Sequence, residues 1–182
     1  MGLKNTNIEY GSLAKALHWL VAIGLCALIF LGLEQAGMES GDERSRILLI
    51  HKSIATITLM LMTIRIVWRF MNDVPAYPDE MPQWQRVSSS IVHWGLYITV
   101  FAQLFAGAMV SGTGGRGLPV FGFFSIPLPV AEDHDAHEWW EEVHEFVWIP
   151  IAALLIVHIL AALYNHFIVK NDTVRRMTVG VK

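Results

Sequence analysis

From Val143 to Val169 the chain reads VHEFVWIPIAALLIVHILAALYNHFIV, an apolar run that carries three histidines, His144, His158 and His166. About 20 apolar residues are enough to cross a bilayer as a helix. An ionisable side chain at such a depth is costly, so its default reading is functional. His144 and His158 stand 14 residues apart, about 21 Å along a helix and about 40° short of four full turns. The two side chains therefore share nearly one face, each toward a different membrane surface. That arrangement suits two cofactors at two depths, each completed by a ligand from another helix.

Working outward, three further stretches are long and apolar enough to span: about 14–33, about 47–70 and about 90–110, with the fourth at about 146–169. Only helices or closed barrels satisfy every backbone group in lipid. Uninterrupted runs choose helices over the alternating decapeptides of a barrel. Composition agrees: 54% of residues are hydrophobic and 16% charged, against about 25% charged in a typical soluble chain. The predicted fold is all-α, an integral membrane four-helix bundle forming a single transmembrane domain over residues 1–182. The first span exceeds a signal-peptide core and no small-x-small cleavage site follows it, so it is expected to remain.

Lysine and arginine near the span ends set the orientation. One side gathers Lys4, Lys15, Arg65, Arg69, Arg86, Lys170, Arg175, Arg176 and Lys182; the other has Arg44, Arg46, Lys52 and Arg116. Both termini are thus expected in the cytoplasm of a multi-pass protein of the bacterial inner membrane, with the lipid bilayer as its first partner. The outer side is acidic, from Glu34 to Glu43 in one loop and from Glu132 to Glu145 near the other. A net charge of −3 argues for no special partner, nucleic acid included.

The connections are expected to be irregular. The inner loop, Met71 to Ser89, holds Pro75, Pro78 and Pro82 and reads as extended. The second outer loop, Ser111 to Trp140, starts with a Gly-rich turn. It passes through an apolar stretch from Leu118 to Val130 and ends acidic and Trp-rich. The Gly114-Gly115 pair lacks the Lys-Ser/Thr of a phosphate loop. His134, His137 and Glu141 have i, i+3, i+7 spacing on an acidic loop and could bind a divalent metal, but without a closed ligand set such loops are usually just solvated. Trp139, Trp140 and Trp148 fit an outer aromatic belt.

His18, His51, His93 and His158 lie inside the spans, and His144 and His166 lie at the ends of the fourth. Depth pairs His51 with His144 and His18 with His158, while His93 competes for the inner pair and depth alone leaves that open. Zinc would want three or four clustered ligands. Haem iron, already held by four porphyrin nitrogens, needs only two. Cys26 is the sole cysteine, so no Cys-x-x-Cys-His attachment exists and bound haem would be non-covalent. Gly24, Gly32, Gly95, Gly107 and Ala108 leave room either for a flat macrocycle or for close helix packing.

With those residues in view, the chain resembles the bacterial cytochrome b561 family of four-helix, di-haem membrane proteins. The resemblance rests on Tyr10-Gly11 to His18-Trp19, on Leu49 to Ile54 with Arg65 and Arg69, and on His93 with Tyr97. It continues through the Val120-Phe121-Gly122 turn, Val143-His144-Glu145, Val157-His158, His166-Phe167, Lys170 to Thr173, and Met177. It implies two haem b groups, with the four axial ligands on His18, His51, His144 and His158. His93 and His166 match family positions that are not axial ligands. The chain departs from the family pattern at Asn165, where relatives often carry a second histidine before His166. Such proteins are quinone-reactive, and some oxidise superoxide and reduce ubiquinone. The expected function is electron transfer between a periplasmic-side donor, superoxide among the candidates, and ubiquinone. Candidate quinone or propionate contacts are His93, His166, Arg65 and Arg69. An anionic donor is steered by positive potential, for which Arg44, Arg46, Lys52 and Arg116 are the outer candidates. Two competing readings are an anchor subunit wiring a soluble dehydrogenase or hydrogenase to the quinone pool, and a haem-free transporter or scaffold.

Overall fold

The computed structural model describes residues 2–78 and 81–180; Lys182, counted above with the inner cations, lies outside them. Four long helices dominate: α1 (Ser12–Ala36), α2 (Asp42–Met71), α3 (Gln83–Thr113) and α4 (His134–Leu163). A hairpin of two short strands, β1 (Leu118–Val120) and β2 (Phe124–Ile126), separates α3 from α4. The antiparallel strands pair Leu118 with Ile126 and Val120 with Phe124. A π-helical turn (Tyr164–Val169) and the short helix α5 (Thr173–Met177) complete the chain. All four long helices are long and apolar enough to cross a membrane.

Every helix begins before the apolar run that predicts it, and α4 starts at His134 rather than near 146. Hydropathy sees only the part of a helix that must face hydrocarbon. The extra turns are polar and are held by local bonding. Asp133 caps α4, its Oδ1 accepting from the Ala136 N–H at 2.9 Å, which satisfies a free amide of the first turn. Asp42 and Glu43 sit in the first turn of α2 and Arg69 in its last, each matching the helix dipole. Pro82 precedes α3, where its missing N–H costs nothing. Much of the connection predicted as an outer loop is therefore helix or hairpin. Pro150 lies well inside α4.

The chain divides into two compact units: Met1–His18, Ile64–Val100 and Trp148–Lys182 in one, Trp19–Thr63 and Phe101–Val147 in the other. Each draws segments from all four long helices. In the first unit, Ala14, Leu17, Val100 and Ile151 are buried. Ala14 Cβ-side packing is tied to α2 by Arg65, whose Nη1 donates to the Ala14 carbonyl at 3.0 Å. The connection after α2 folds back on the N-terminal segment, with Asn5 Nδ2 donating to the Asp73 carbonyl at 2.8 Å and the Ala76 N–H to the Asn7 carbonyl at 3.0 Å.

The second unit buries hydroxyls rather than only hydrocarbon. Ser53, Thr56 and Thr58 are buried on α2, and each donates to the carbonyl four residues earlier at 2.6–2.8 Å. That back-bonding satisfies the hydroxyl within its own helix and leaves a narrow face on which α1 packs closely. A Cβ on Gly24 would sit 2.5 Å from Thr58 Oγ1, so the glycine is there for helix contact. Outward, Phe30, Ile98 and Leu160 are exposed, the inverse of a water-soluble surface and the pattern lipid requires.

Candidate functional site: two histidine sets

The first unit brings three histidines together. His18 on α1 and His158 on α4 have ring centroids 6.2 Å apart, at an interplanar angle of 70°. His93 on α3 lies 5.4 Å from the same His158 ring, and its Nδ1 is 3.5 Å from Ser89 Oγ. His158 could thus share one metal-centred group with an imidazole from either neighbouring helix, and His18 and His93 are the two that approach it.

Arg65 and Arg69 frame this set without pointing away from the unit. Arg65 lies over the Tyr97 ring at 5.6 Å and Arg69 at 5.3 Å from both Tyr97 and Trp94. Cation–ring contact of this kind holds a guanidinium in place, so simple snorkelling to headgroups does not describe either residue. Tyr10, just before α1, is half-buried. Burial pushes its phenol above the usual value, with Arg69 and Arg65 opposing. His166 stays outside this cluster of contacts; it is exposed and meets the neighbouring Phe167 ring at 4.7 Å.

Asn165, the departure noted in the sequence, has a structural role. It is buried, its Nδ2 donates to the Ala161 carbonyl at 2.8 Å, and its Oδ1 accepts from Asn171 Nδ2 at 2.6 Å. Its carbonyl also accepts from the Asn171 N–H at 3.1 Å. Those bonds close the π-turn before Lys170, which takes the left-handed conformation at φ 58°.

The second unit holds His51 on α2 and His144 on α4, which lie within electrostatic reach of each other. His144 Nδ1 is 3.1 Å from the Gln103 carbonyl oxygen. A carbonyl only accepts, so Nδ1 carries the proton and the Nε2 lone pair is free for a metal. Such an outer partner fixes the tautomer and orientation of a metal-binding imidazole. His51 Nδ1 is buried with no hydrogen-bond partner, a costly state for a polar atom. Small residues make the space: a Cβ on Gly107 would lie 3.0 Å from His144 Cε1, and one on Gly32 would lie 3.6 Å from His51 Cε1. Gly24 and Gly95, by contrast, face Thr58 and Leu154 and serve helix packing. The donor set, two imidazole pairs without thiolate or carboxylate, fits haem iron, which leaves two axial positions to the protein.

Lys52, the residue after His51, and Arg116 line two cavities of about 100 and 290 Å³; His137 lines the first and Ser45, Leu48 and Ser125 the second. Lys52 Nζ donates to Ser111 Oγ at 3.3 Å. Arg44 and Arg46, the other cations expected on the outer side, are exposed, with Arg44 Nε donating to the Gln35 carbonyl. His134 and His137 pair along α4 with Glu138 and Glu141 at 3.6 and 3.3 Å. Among the described residues no group of three or more His, Cys, Asp or Glu is placed to hold a metal ion.

Four helices long and apolar enough to cross a membrane, with histidines gathered in each unit, fit a membrane cytochrome of b type. The chain belongs to the prokaryotic cytochrome b561 family, whose profile matches residues 9–180. Membership implies haem b binding and a bacterial membrane protein. The chain is 30% identical to cytochrome b561 homolog 2 of Escherichia coli (strain K12) over 178 residues, covering 97% of this chain and 95% of the relative. It is 27% identical to cytochrome b561 homolog 1 of the same organism, over 88% of this chain and 92% of that one. It is 24% identical to the probable superoxide oxidase CybB of Yersinia pestis, over 93% and 95% of the two chains.

Proposed function

We propose that this chain is a di-haem cytochrome of the bacterial inner membrane, with both termini cytoplasmic, that passes electrons from a periplasmic-side donor to ubiquinone. The observation that carries the reading is the pair of histidine sets. One axial pair would be His18 with His158 and the other His51 with His144. His18 and His93 both approach His158, and the likeness to the family favours His18 as its partner. Haem supplies one-electron redox chemistry when bound. The chain supplies the neutral imidazoles, oriented from outside by groups such as the Gln103 carbonyl, and an apolar surround that excludes water. Axial ligation and these outer bonds are the levers that set the potential.

Superoxide is the donor we favour. One relative carries superoxide oxidase in its name, and Lys52, the residue after His51, and Arg116 put two cations at two cavities. Positive potential concentrates an anion there against the acidic charge around it. Each superoxide would give up one electron to become dioxygen, so two are needed per quinone, which also takes two protons. His93, beside His158, is the candidate proton relay, with Arg65 and Arg69 close by to bind a carboxylate or a quinone oxygen.

The test is the purified holoprotein in proteoliposomes containing ubiquinone, given enzymatically generated superoxide. Haem reduction followed by quinol formation is expected, abolished by a superoxide dismutase. Quinol formation unaffected by the dismutase, or none at all with fully loaded haem, would contradict superoxide as the donor.

A further inference from the structure

From Gly117 to Ala131 the sequence has no charged residue, and it is bounded by Arg116 and Glu132. The hairpin β1–β2 forms from this segment. Its turn places Phe121 at φ 48° and Gly122 at φ 77°, and the Phe123 N–H donates to the Val120 carbonyl at 3.0 Å. Two successive residues with positive φ form the centre of a tight turn from Val120 to Phe123, inside a three-residue loop between the paired Val120 and Phe124. The turn is fastened to α2: the Phe121 N–H donates to Ser53 Oγ at 2.8 Å, and Gly122 approaches Leu49 Cδ2, with 3.8 Å to a would-be Cβ.

Ser53 fixes the depth. Helix α2 has 30 residues, about 45 Å at 1.5 Å per residue, which matches a whole bilayer with its headgroups. The hydrocarbon takes about 30 Å of that, leaving about 7 Å beyond it at each end. Ser53 lies 11 residues past Asp42, about 16 Å along the axis, and so well within the hydrocarbon zone. The hairpin turn bonded to it reaches the same depth.

The hairpin meets the two conditions for being there. Non-helical backbone at membrane depth is tolerated where it packs on protein or lines a cavity; the turn packs on α2 through the Ser53–Phe121 bond, and Pro119 and Ser125 line the cavity shared with Lys52. Its surface must also be apolar: Phe123 is 86% exposed and Phe124 60%. Leu49, against the turn, is itself an exposed apolar residue of α2, so the tip continues the lipid-facing surface of that helix.

We propose that the hairpin is a re-entrant element that inserts Phe123 and Phe124 among the acyl chains of the outer leaflet, with the Ser53–Phe121 bond setting its depth. It is an addition to the spans and independent of the electron-transfer reading.

The test is spin-label accessibility on the full-length, haem-loaded protein in phosphatidylcholine–phosphatidylglycerol nanodiscs. A nitroxide is placed at Phe123→Cys in a Cys26→Ala background, with Glu132→Cys as an aqueous reference. The ratio of oxygen to water-soluble nickel-chelate collision rates is expected to be several-fold higher at 123 than at 132. Phe124→Cys reports the same surface should the first variant not fold. A label at 123 or 124 that meets the nickel chelate as readily as one at 132 would overturn the proposal and leave the hairpin in water or against a soluble partner.

Discussion

Consider Gly107→Ala. A Cβ there would stand 3.0 Å from His144 Cε1 and 3.3 Å from Nδ1, where carbon contacts are comfortable at about 3.5–4.0 Å. The imidazole must retreat by about half an ångström. The Nδ1–Gln103 bond, now 3.1 Å, then stretches toward about 3.6 Å, beyond a useful hydrogen bond. Losing such an outer partner typically costs about 10–100-fold in metal affinity, or about 1.4–2.7 kcal/mol. Alanine is itself the better helix former by about 0.5–1 kcal/mol, so a loss cannot be blamed on the helix. Gly32→Ala is the matched control, because its Cβ would meet His51 Cε1 at an ordinary 3.6 Å. The assay is haem release from the purified protein to an excess of apomyoglobin. We expect one of two haems to leave about 10–100-fold faster in Gly107→Ala, and release near wild type in Gly32→Ala. Equal release from both variants and wild type would refute the claim that Gly107 exists to seat His144.

Three further outcomes follow from other parts of the structure. Replacing Lys52 and Arg116 together by Gln should slow haem reduction by superoxide about tenfold at low ionic strength and flatten its salt dependence; stopped-flow traces at two salt concentrations check this. Gly24→Ala should destabilise the protein by about 1–3 kcal/mol through overpacking against Thr58, and Thr58→Ala should restore much of the loss, as thermal melts in detergent would show. Tyr10 is held above its ordinary value chiefly by burial. The folded protein therefore keeps its proton where the unfolded chain would lose it. The associated stability is complete below about pH 10 and is lost as pH rises through the folded value. Tyr10→Phe should remove that alkaline loss, measured as melting temperature against pH.

What the sequence discloses follows from which physics is local. Lipid demands long apolar runs, so all four spans are legible. The helical extensions before Ile47 and Phe146 were hidden because they are polar and rest on caps such as Asp133. The inner histidine rivalry could not be resolved by depth, since His18, His93 and His158 come from three helices and differ by contacts made only on folding. The Gln103 carbonyl could not be found either: any backbone has one, and only the approach of α3 to α4 selects it. Gly24 and Gly107 look alike in sequence, yet one faces a threonine and the other an imidazole. Asn165 looked like a missing histidine and is instead the fastening of the π-turn.

The most direct test is haem per chain, by pyridine haemochrome and protein quantitation, in the wild type and in His18→Ala, His51→Ala, His144→Ala, His158→Ala and His93→Ala. The account predicts two haems in the wild type, one lost in each of the first four variants, and two retained in His93→Ala. A single haem in the wild type, or loss with His93→Ala but not His18→Ala, would contradict the assignment of the axial pairs.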